Sequence, residues 1–262
     1  MLLENHPWFE VAVLAASSRS AGKPYAEAVG SKWSMTKEIP EKYRNMIVAD
    51  ASADVKKIAG CVDFVFCAVD MKKDEIKALE ELYAKNECPV ISNNSANRFT
   101  PDVPMIVPEI NPEHAQIIPY QKKRLGTKRG FIAVKSNCSL QSYVPALHPL
   151  RKFGLNKVLV CTYQAISGAG KTFATWPEMI DNVIPYIGGE EEKSEQEPLK
   201  LFGTIDQAQG RIVPAASPSF TAQCIRVPAS DGHMGAVPAS TVCRRSKRSL
   251  KSGKIIREER RS

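Results

Sequence analysis

Residues 63–92 read DFVFCAVDMKKDEIKALEELYAKNECPVIS. Residues 63–69 and 89–92 are short apolar runs, and between them Ile76, Leu79, Leu82 and Tyr83 recur at helical spacing within 74–86. A strand, an amphipathic helix and a second strand in that order form a βαβ unit, which predicts parallel strands. Further apolar runs at 9–16 and 130–134 extend the pattern on both sides. The first half therefore reads as a doubly wound, Rossmann-like α/β sheet.

The run at 130–134 delivers the chain into Ser136-Asn137-Cys138-Ser139, followed by a helix-like stretch over 140–150. Pro145 falls inside that helix, which predicts a late start or a kink. Free cysteines mostly fill space in cores. Cys138 departs from that reading because its neighbours are polar and because a helix N-terminus presents unpaired N–H groups that favour a thiolate. It is the candidate nucleophile.

Beyond Cys138 the pattern changes to α+β. A long strand over 155–166 carries Gln164. A Gly-rich turn, an aromatic and Pro-punctuated stretch (173–186) and an acidic run follow it, then strand-like segments at 211–213 and 224–227. Three units are expected: the doubly wound α/β domain over 1–137, an α+β domain over 138–237 that carries the candidate nucleophile, and a basic, disordered tail over 238–262. From Arg244 onward nine Lys/Arg face two Asp/Glu, a net +7 that leaves about +1 of the chain's +8 for everything before it. That tail lacks interleaved aromatics, so solvated disorder is favoured over recognition of nucleic acid.

The 262 residues with 43% hydrophobic content suffice for a real core. Seven cysteines without paired spacing predict reduced thiols in a cytoplasmic setting and no zinc site. No apolar stretch approaches the roughly 20 residues that span a bilayer, and no basic-then-apolar leader pattern opens the chain.

Several motifs converge: SSRSAGK at 17–23, SNNSANR at 92–98, SNCS at 136–139, Gln164, SGAGK at 167–171, and Arg226 seven residues before His233. Together they resemble the aspartate-semialdehyde dehydrogenase family, its archaeal and fungal branch in particular, over residues 1–237. The resemblance implies NADPH-dependent reduction of L-aspartyl 4-phosphate to L-aspartate 4-semialdehyde with release of inorganic phosphate, in lysine, threonine and methionine biosynthesis. It further implies a homodimer or homotetramer.

On that resemblance Cys138 attacks the acyl phosphate and forms a thioester, His233 is the acid/base group, and Gln164 orients the acyl intermediate. Arg226 binds the substrate carboxylate, and Asn137 beside the nucleophile contacts substrate. Arg98 is assigned to the phosphate. A glutamate of 190–192 and Lys193 contact substrate, with Glu190 and Lys193 at i,i+3 spacing and the choice among the three acids left open. Ser17, Arg19, Ser20 and Lys23 present hydroxyls and cations with no acid, which favours the 2′-phosphate of NADP over NAD. Ser167, Gly168 and Gly170 would let backbone approach the cofactor.

The family also opens with a strand and a Gly-rich phosphate loop, where this chain has only eight residues before its first apolar run. Residues 1–8 resemble the end of the helix that follows such a loop. An incomplete nucleotide domain with impaired cofactor affinity is the expectation. A related acyl-phosphate reductase, such as an N-acetyl-glutamyl-phosphate reductase or a glyceraldehyde-3-phosphate dehydrogenase relative, and an inactive dimerising fragment are the competing readings.

Overall fold

The computed structural model describes residues 3–33, 35 and 37–242. In chain order the strands are β1 (Ala15–Ala16), β2 (Ala49–Asp50), β3 (Val65–Cys67), β4 (Val90–Ser92), β5 (Ile132–Val134), β6 (Leu155–Gln164), β7 (Thr204–Asp206), β8 (Arg211–Val213), β9 (Ser219–Arg226), β10 (Met234–Ala236) and β11 (Ala239–Thr241). The α-helices are α1 (Tyr25–Val29), α2 (Glu41–Arg44), α3 (Val55–Ala59), α4 (Lys73–Lys85), α5 (Ile118–Leu125), α6 (Val144–Leu147) and α7 (Glu190–Leu201).

The opening βαβ reading corresponds to β3–α4–β4, and β5 extends that sheet in parallel on the far side of β4. Helix α4 buries Ile76, Leu79 and Tyr83, as the periodicity requires, but Leu82 is exposed and Glu80 is buried in its place. The carboxylate is satisfied: Ser92 Oγ and Asn97 Nδ2 both donate to it. A buried acid is tolerable only with such partners, and here it fastens the loop after β4.

The strand expected over 9–16 is reduced to Ala15–Ala16. It pairs in parallel with β2 alone, in a sheet separate from β3–β4–β5. Between the two sheets lies a cleft of about 890 Å³, lined by Val11, Val13, Phe64, Phe66 and Leu79 among others. Phe9 packs edge-on against Phe64, and Phe64 against Phe66. A single short parallel partner gives residues 9–14 too few ladder bonds to hold them as strand. Residues 3–5 form a turn, not the helix end expected for 1–8.

The helix expected over 140–150 is replaced by three short pieces, a 3₁₀ turn at Leu140–Ser142, α6, and a 3₁₀ segment at His148–Phe153. Pro145 and Pro149 each remove an N–H from the middle of the stretch, so no continuous ladder forms.

The second half is built on β6, which pairs in parallel with β9 and antiparallel with β10 and β11. Along β6, Val158, Val160, Thr162 and Gln164 point to the buried face while Leu159 is exposed, so Gln164 continues the inward row to the end of the strand. The register sets Gln164 opposite Arg226, and both are buried. One core cluster runs through both halves, from Val55 and Leu79 through Val90, Ile132 and Leu140 to Val160, Leu201 and Phe220.

Residues 239–241 were expected in the disordered tail. They form β11, and Leu159 N–H donates to Pro238 O at 2.9 Å and Val242 N–H to Gly154 O at 2.7 Å. Backbone pairing along an edge needs no apolar side chains, which is why a hydropathy pattern misses it. The remainder of that tail, 243–262, lies outside the described residues.

Candidate active site

Cys138 stands in the loop after β5, exposed, on a stretch whose neighbours Ser136, Asn137 and Ser139 are all buried. Asn137 fixes this loop. Its Oδ1 accepts from Ser139 N–H at 2.9 Å and Ser139 Oγ at 2.7 Å, an Asx turn that leaves the thiol projecting. Its Nδ2 donates to Glu190, and its backbone N–H donates to Glu197 Oε2 at 2.7 Å.

His233, 95 residues away in sequence, places Nε2 at 3.3 Å from Cys138 Sγ. The chain leaves β9 at Arg226, loops through 227–232, and starts β10 opposite Tyr163, which carries His233 over the end of β6. Its ring is held by one residue: Ala165 N–H donates to His233 Nδ1 at 3.1 Å. The same Ala165 accepts at its carbonyl from Arg226 Nη1 at 2.7 Å. A ring that accepts at Nδ1 carries its proton, when neutral, on Nε2, facing the sulfur. Burial first, then the Arg226 and Lys135 charges, hold the imidazole below its usual pKa, with Glu190 opposing.

Gly168 has a packing reason independent of any cofactor. A Cβ there would lie 2.6 Å from His233 Cε1, 2.9 Å from its Nε2 and 3.0 Å from Arg226 Nη1. Only a hydrogen fits against these two side chains.

Glu190 opens α7 and gathers the opposite wall. It accepts from Lys193 Nζ at 2.7 Å, from Asn137 Nδ2 at 2.9 and 3.2 Å, and from Gln164 Nε2 at 3.3 Å. Burial works to raise its pKa, but Lys193, Asn137 and Gln164 outweigh it and keep the carboxyl below its ordinary range. Among the three glutamates, Glu190 is the one on the Asn137–Gln164 side; Glu191 accepts from Cys224 N–H, and Glu192 is exposed.

Arg98 is buried, with Nη1 donating to Glu197 Oε1 at 2.8 Å and Nη2 to Asn93 O at 3.1 Å; its Nε has no partner among the described residues. Glu197 and Lys200 are the residues that reading the chain missed. Lys200 Nζ donates to the carbonyls of Arg98, Thr100 and Val103 at 2.6–2.9 Å, and burial pushes its pKa down to about 8. The signal was present: Ser194, Glu197 and Leu201, all buried, stand at i, i+3 and i+7 along α7, a core stripe written in small and charged residues.

The 17–23 turn lies apart from this cluster, after β1. Ser17, Arg19 and Lys23 are exposed and Ser20 half-buried, Ser20 N–H closes the turn on Ser17 O, and Gly22 adopts φ 81°. Ser167 and Gly170 are exposed in a 3₁₀ turn beyond Ala165. The structure thus brings Cys138, His233, Arg226, Gln164, Asn137, Glu190 and Lys193 together. Among the described residues no His/Cys/Asp/Glu group gathers as a metal site, and no helix is long and apolar enough to cross a membrane.

An exposed thiol touched by imidazole, with a buried guanidinium and amides around it, suits acyl transfer through a thioester. Residues 1–118 match the semialdehyde dehydrogenase NAD-binding domain family, and residues 147–252 match the semialdehyde dehydrogenase dimerisation domain family. The chain is 41% identical over 237 residues to the aspartate-semialdehyde dehydrogenase of Methanothermobacter thermautotrophicus, covering 90% of this chain and 65% of that protein. To the Saccharomyces cerevisiae enzyme of the same name it is 40% identical over 242 residues, covering 89% and 64%. A crystal structure of Candida albicans aspartate-semialdehyde dehydrogenase with NADP superposes with a TM-score of 0.80 at 34% identity, over 94% of this chain and 68% of that one. The chain therefore spans a little under two thirds of the length of these curated relatives.

Proposed function

The chain belongs to the aspartate-semialdehyde dehydrogenase family, and from that membership we propose that its site carries out the phosphate-releasing acyl transfer and reduction that interconvert L-aspartyl 4-phosphate and L-aspartate 4-semialdehyde. The observation that carries this reading is the 3.3 Å contact between Cys138 Sγ and His233 Nε2, set among Arg226, Gln164 and Glu190.

In the proposed mechanism the Cys138 thiolate attacks the acyl carbonyl. An S–C bond forms, the C–O bond to phosphate breaks, and the electron pair leaves with inorganic phosphate. His233 Nε2–H is directed at the sulfur and steadies its negative charge. Full protonation of the ring requires a proton on Nδ1, which then faces the Ala165 N–H, so the imidazolium forms only as that contact opens. This makes His233 a proton carrier whose two states differ in ring position. Arg226 offers the rest of its fork to the substrate α-carboxylate, since among the described residues only Nη1 is engaged. Asn137 and Gln164, tied to Glu190, shape the wall against which the acyl group lies, with Lys193 contributing its charge from the same helix. Arg98 is the cation assigned to the departing phosphate.

NADP fits the 17–23 turn on its chemistry: the turn carries the hydroxyls of Ser17 and Ser20 and the cations of Arg19 and Lys23, with no acid in the segment itself. Ser167 and Gly170 offer exposed backbone on the thiol side. When bound, the cofactor supplies the hydride that reduces the acyl group. We assign the chain to a homodimer built on the 138–237 unit, with 1–137 as the nucleotide unit, and to the cytoplasm, where free thiols persist.

Acylation needs no cofactor, so it can be isolated. Mixing the protein with L-aspartyl 4-phosphate should release one equivalent of phosphate per site and block Cys138 from alkylation, and Cys138→Ala should abolish both. Phosphate-dependent NADP reduction by aspartate semialdehyde tests the second half. A burst that survives Cys138→Ala would overturn the reading.

A further inference from the structure

Helix α7 carries Glu190, Lys193, Glu197 and Lys200 at i, i+3, i+7 and i+10, a stripe of charge along one face. The first two belong to the substrate wall described above. The second two are buried, Glu197 completely, where a helix ordinarily presents apolar side chains to the core. Their partners lie in the two loops that frame the thiol. Lys200 Nζ donates to the carbonyls of Arg98, Thr100 and Val103 in the loop after β4. Glu197 divides its oxygens between the loops: Oε1 accepts from Arg98 Nη1 at 2.8 Å, and Oε2 accepts from the Asn137 N–H at 2.7 Å.

Stability alone is a poor account of that arrangement. Taking a carboxylate and a guanidinium out of water offsets most of what their attraction returns, and an apolar pair of similar volume often serves a core as well. An apolar pair cannot hold two donors at fixed places. Here one donor is the cation assigned to the phosphate, and the other is the backbone N–H of the residue that immediately precedes Cys138. Both contacts have the lengths of charge-assisted hydrogen bonds. The Asn137 side chain is tied to the same helix, since its Nδ2 donates to Glu190. The nucleophile loop therefore cannot shift relative to Arg98 without breaking a bond to α7.

We propose that Glu197 is a positioning residue for acylation: one buried carboxylate holds Arg98 at one oxygen and the Asn137 N–H at the other, and so fixes the distance between the leaving group's cation and the sulfur. This rests on the acyl-transfer reading, with Arg98 as the cation for phosphate. Glu197 acts through those two residues and takes no part in bond making. Its grip leaves Arg98 with donors to spare, because Nη1 has a second N–H and Nε has no partner among the described residues. A guanidinium already held in place meets the departing oxygens without reorganising, which is the condition under which such a contact lowers a barrier.

The test uses the whole chain and compares two reactions of the same sulfur. Single-turnover phosphate release from saturating L-aspartyl 4-phosphate needs Arg98 and Cys138 correctly spaced, whereas iodoacetamide alkylation of Cys138, read by mass spectrometry, needs the thiol alone. In Glu197→Gln the amide accepts at one atom and turns an NH₂ towards the other donor, so one loop must move. Phosphate release should fall by about 100-fold, as for a misplacement of about 1 Å, while alkylation stays within about threefold of wild type. Glu197→Asp keeps the charge and both acceptors but draws them back by one methylene; it decides the matter where the Gln variant does not fold, and should lose about tenfold in phosphate release. Ile58→Ala, a cavity in the buried face of α3, is the control for stability loss and should leave both reactions of the folded protein unchanged. Rates are read below the lowest melting temperature, with circular dichroism as the check on folding. Phosphate release and alkylation that fall together in the Glu197 variants would overturn the proposal, as would an equal loss in Ile58→Ala or a Glu197→Asp rate within about threefold of wild type. Wild-type protein that releases no phosphate would overturn the acyl-transfer reading itself.

Discussion

Gly168→Ala should disable the site without unfolding the protein. The added Cβ would begin 2.6 Å from His233 Cε1 and 2.9 Å from Nε2, where carbon contacts settle at about 3.5–4.0 Å. Arg226 Nη1, 3.0 Å from the same Cβ, is anchored at 2.7 Å to Ala165 O and cannot yield without abandoning a buried hydrogen bond. The imidazole must therefore retreat by about 1 Å, which stretches the 3.3 Å Sγ–Nε2 contact beyond hydrogen-bonding reach. A displacement of that size at reacting atoms costs on the order of 100-fold in rate. Stability should change by less than about 1 kcal/mol, because Gly168 is exposed and its backbone lies outside the left-handed region. The assay is the rate of phosphate release from L-aspartyl 4-phosphate under single-turnover conditions, with thermal unfolding in parallel. Gly170→Ala is the control: nothing lies within 4 Å of its Cβ, but φ is 67°, so it should cost about 1 kcal/mol of stability and leave the rate alone. A Gly168→Ala rate within about threefold of wild type would refute the claim that His233 position governs acylation.

Glu197→Gln leaves Arg98 buried without its counter-charge. It should cost about 3–5 kcal/mol and lower the melting temperature by roughly 10 °C; a loss under about 1 kcal/mol in urea unfolding would show that Arg98 finds another partner. Lys200, with its pKa pushed down to about 8 by burial, binds fewer protons folded than unfolded above that pH. Its contribution should therefore grow more favourable as pH rises from about 8 towards 10.4, and urea unfolding of wild type relative to Lys200→Met should gain about 2 kcal/mol over that window; a flat difference refutes the depressed pKa. For His233, burial, Arg226 and Lys135 place the imidazole midpoint below its ordinary value of 6.5. An NMR titration should find it there and Lys135→Met should move it upward, while an unmoved midpoint would separate Lys135 from the site.

The parallel core of the first half was legible because β3, α4 and β4 are local. Thirty residues contain both periodicities, and each apolar run is bounded by its own turn. What escaped depends on partners distant in sequence. Residues 9–16 have as much strand character as 63–69, yet only Ala15–Ala16 pairs, since a strand is a property of two chains and its neighbour at β2 is short. Ala239–Thr241 shows the converse, a segment without strand character that becomes one because β6 offers an open edge.

The site divides along the same line. Cys138, His233, Gln164 and Arg226 carry chemistry in their own side chains, so residue type and spacing expose them. Glu197 reads as one more charge in an acidic run, and its role appears only when Arg98, 99 residues away, and the Asn137 N–H arrive at its two oxygens. Ala165 is harder still, because its side chain does nothing. Its N–H fixes the His233 tautomer and its carbonyl holds Arg226, so the geometry between thiol, imidazole and guanidinium is set through a single residue's backbone that any amino acid except proline would supply. It follows that substitution at 165 should matter little to the reaction unless it moves the backbone. Ala165 is fully buried, and a bulky replacement there should disturb His233 and Arg226 together, whereas changes to either side chain should leave the other in place.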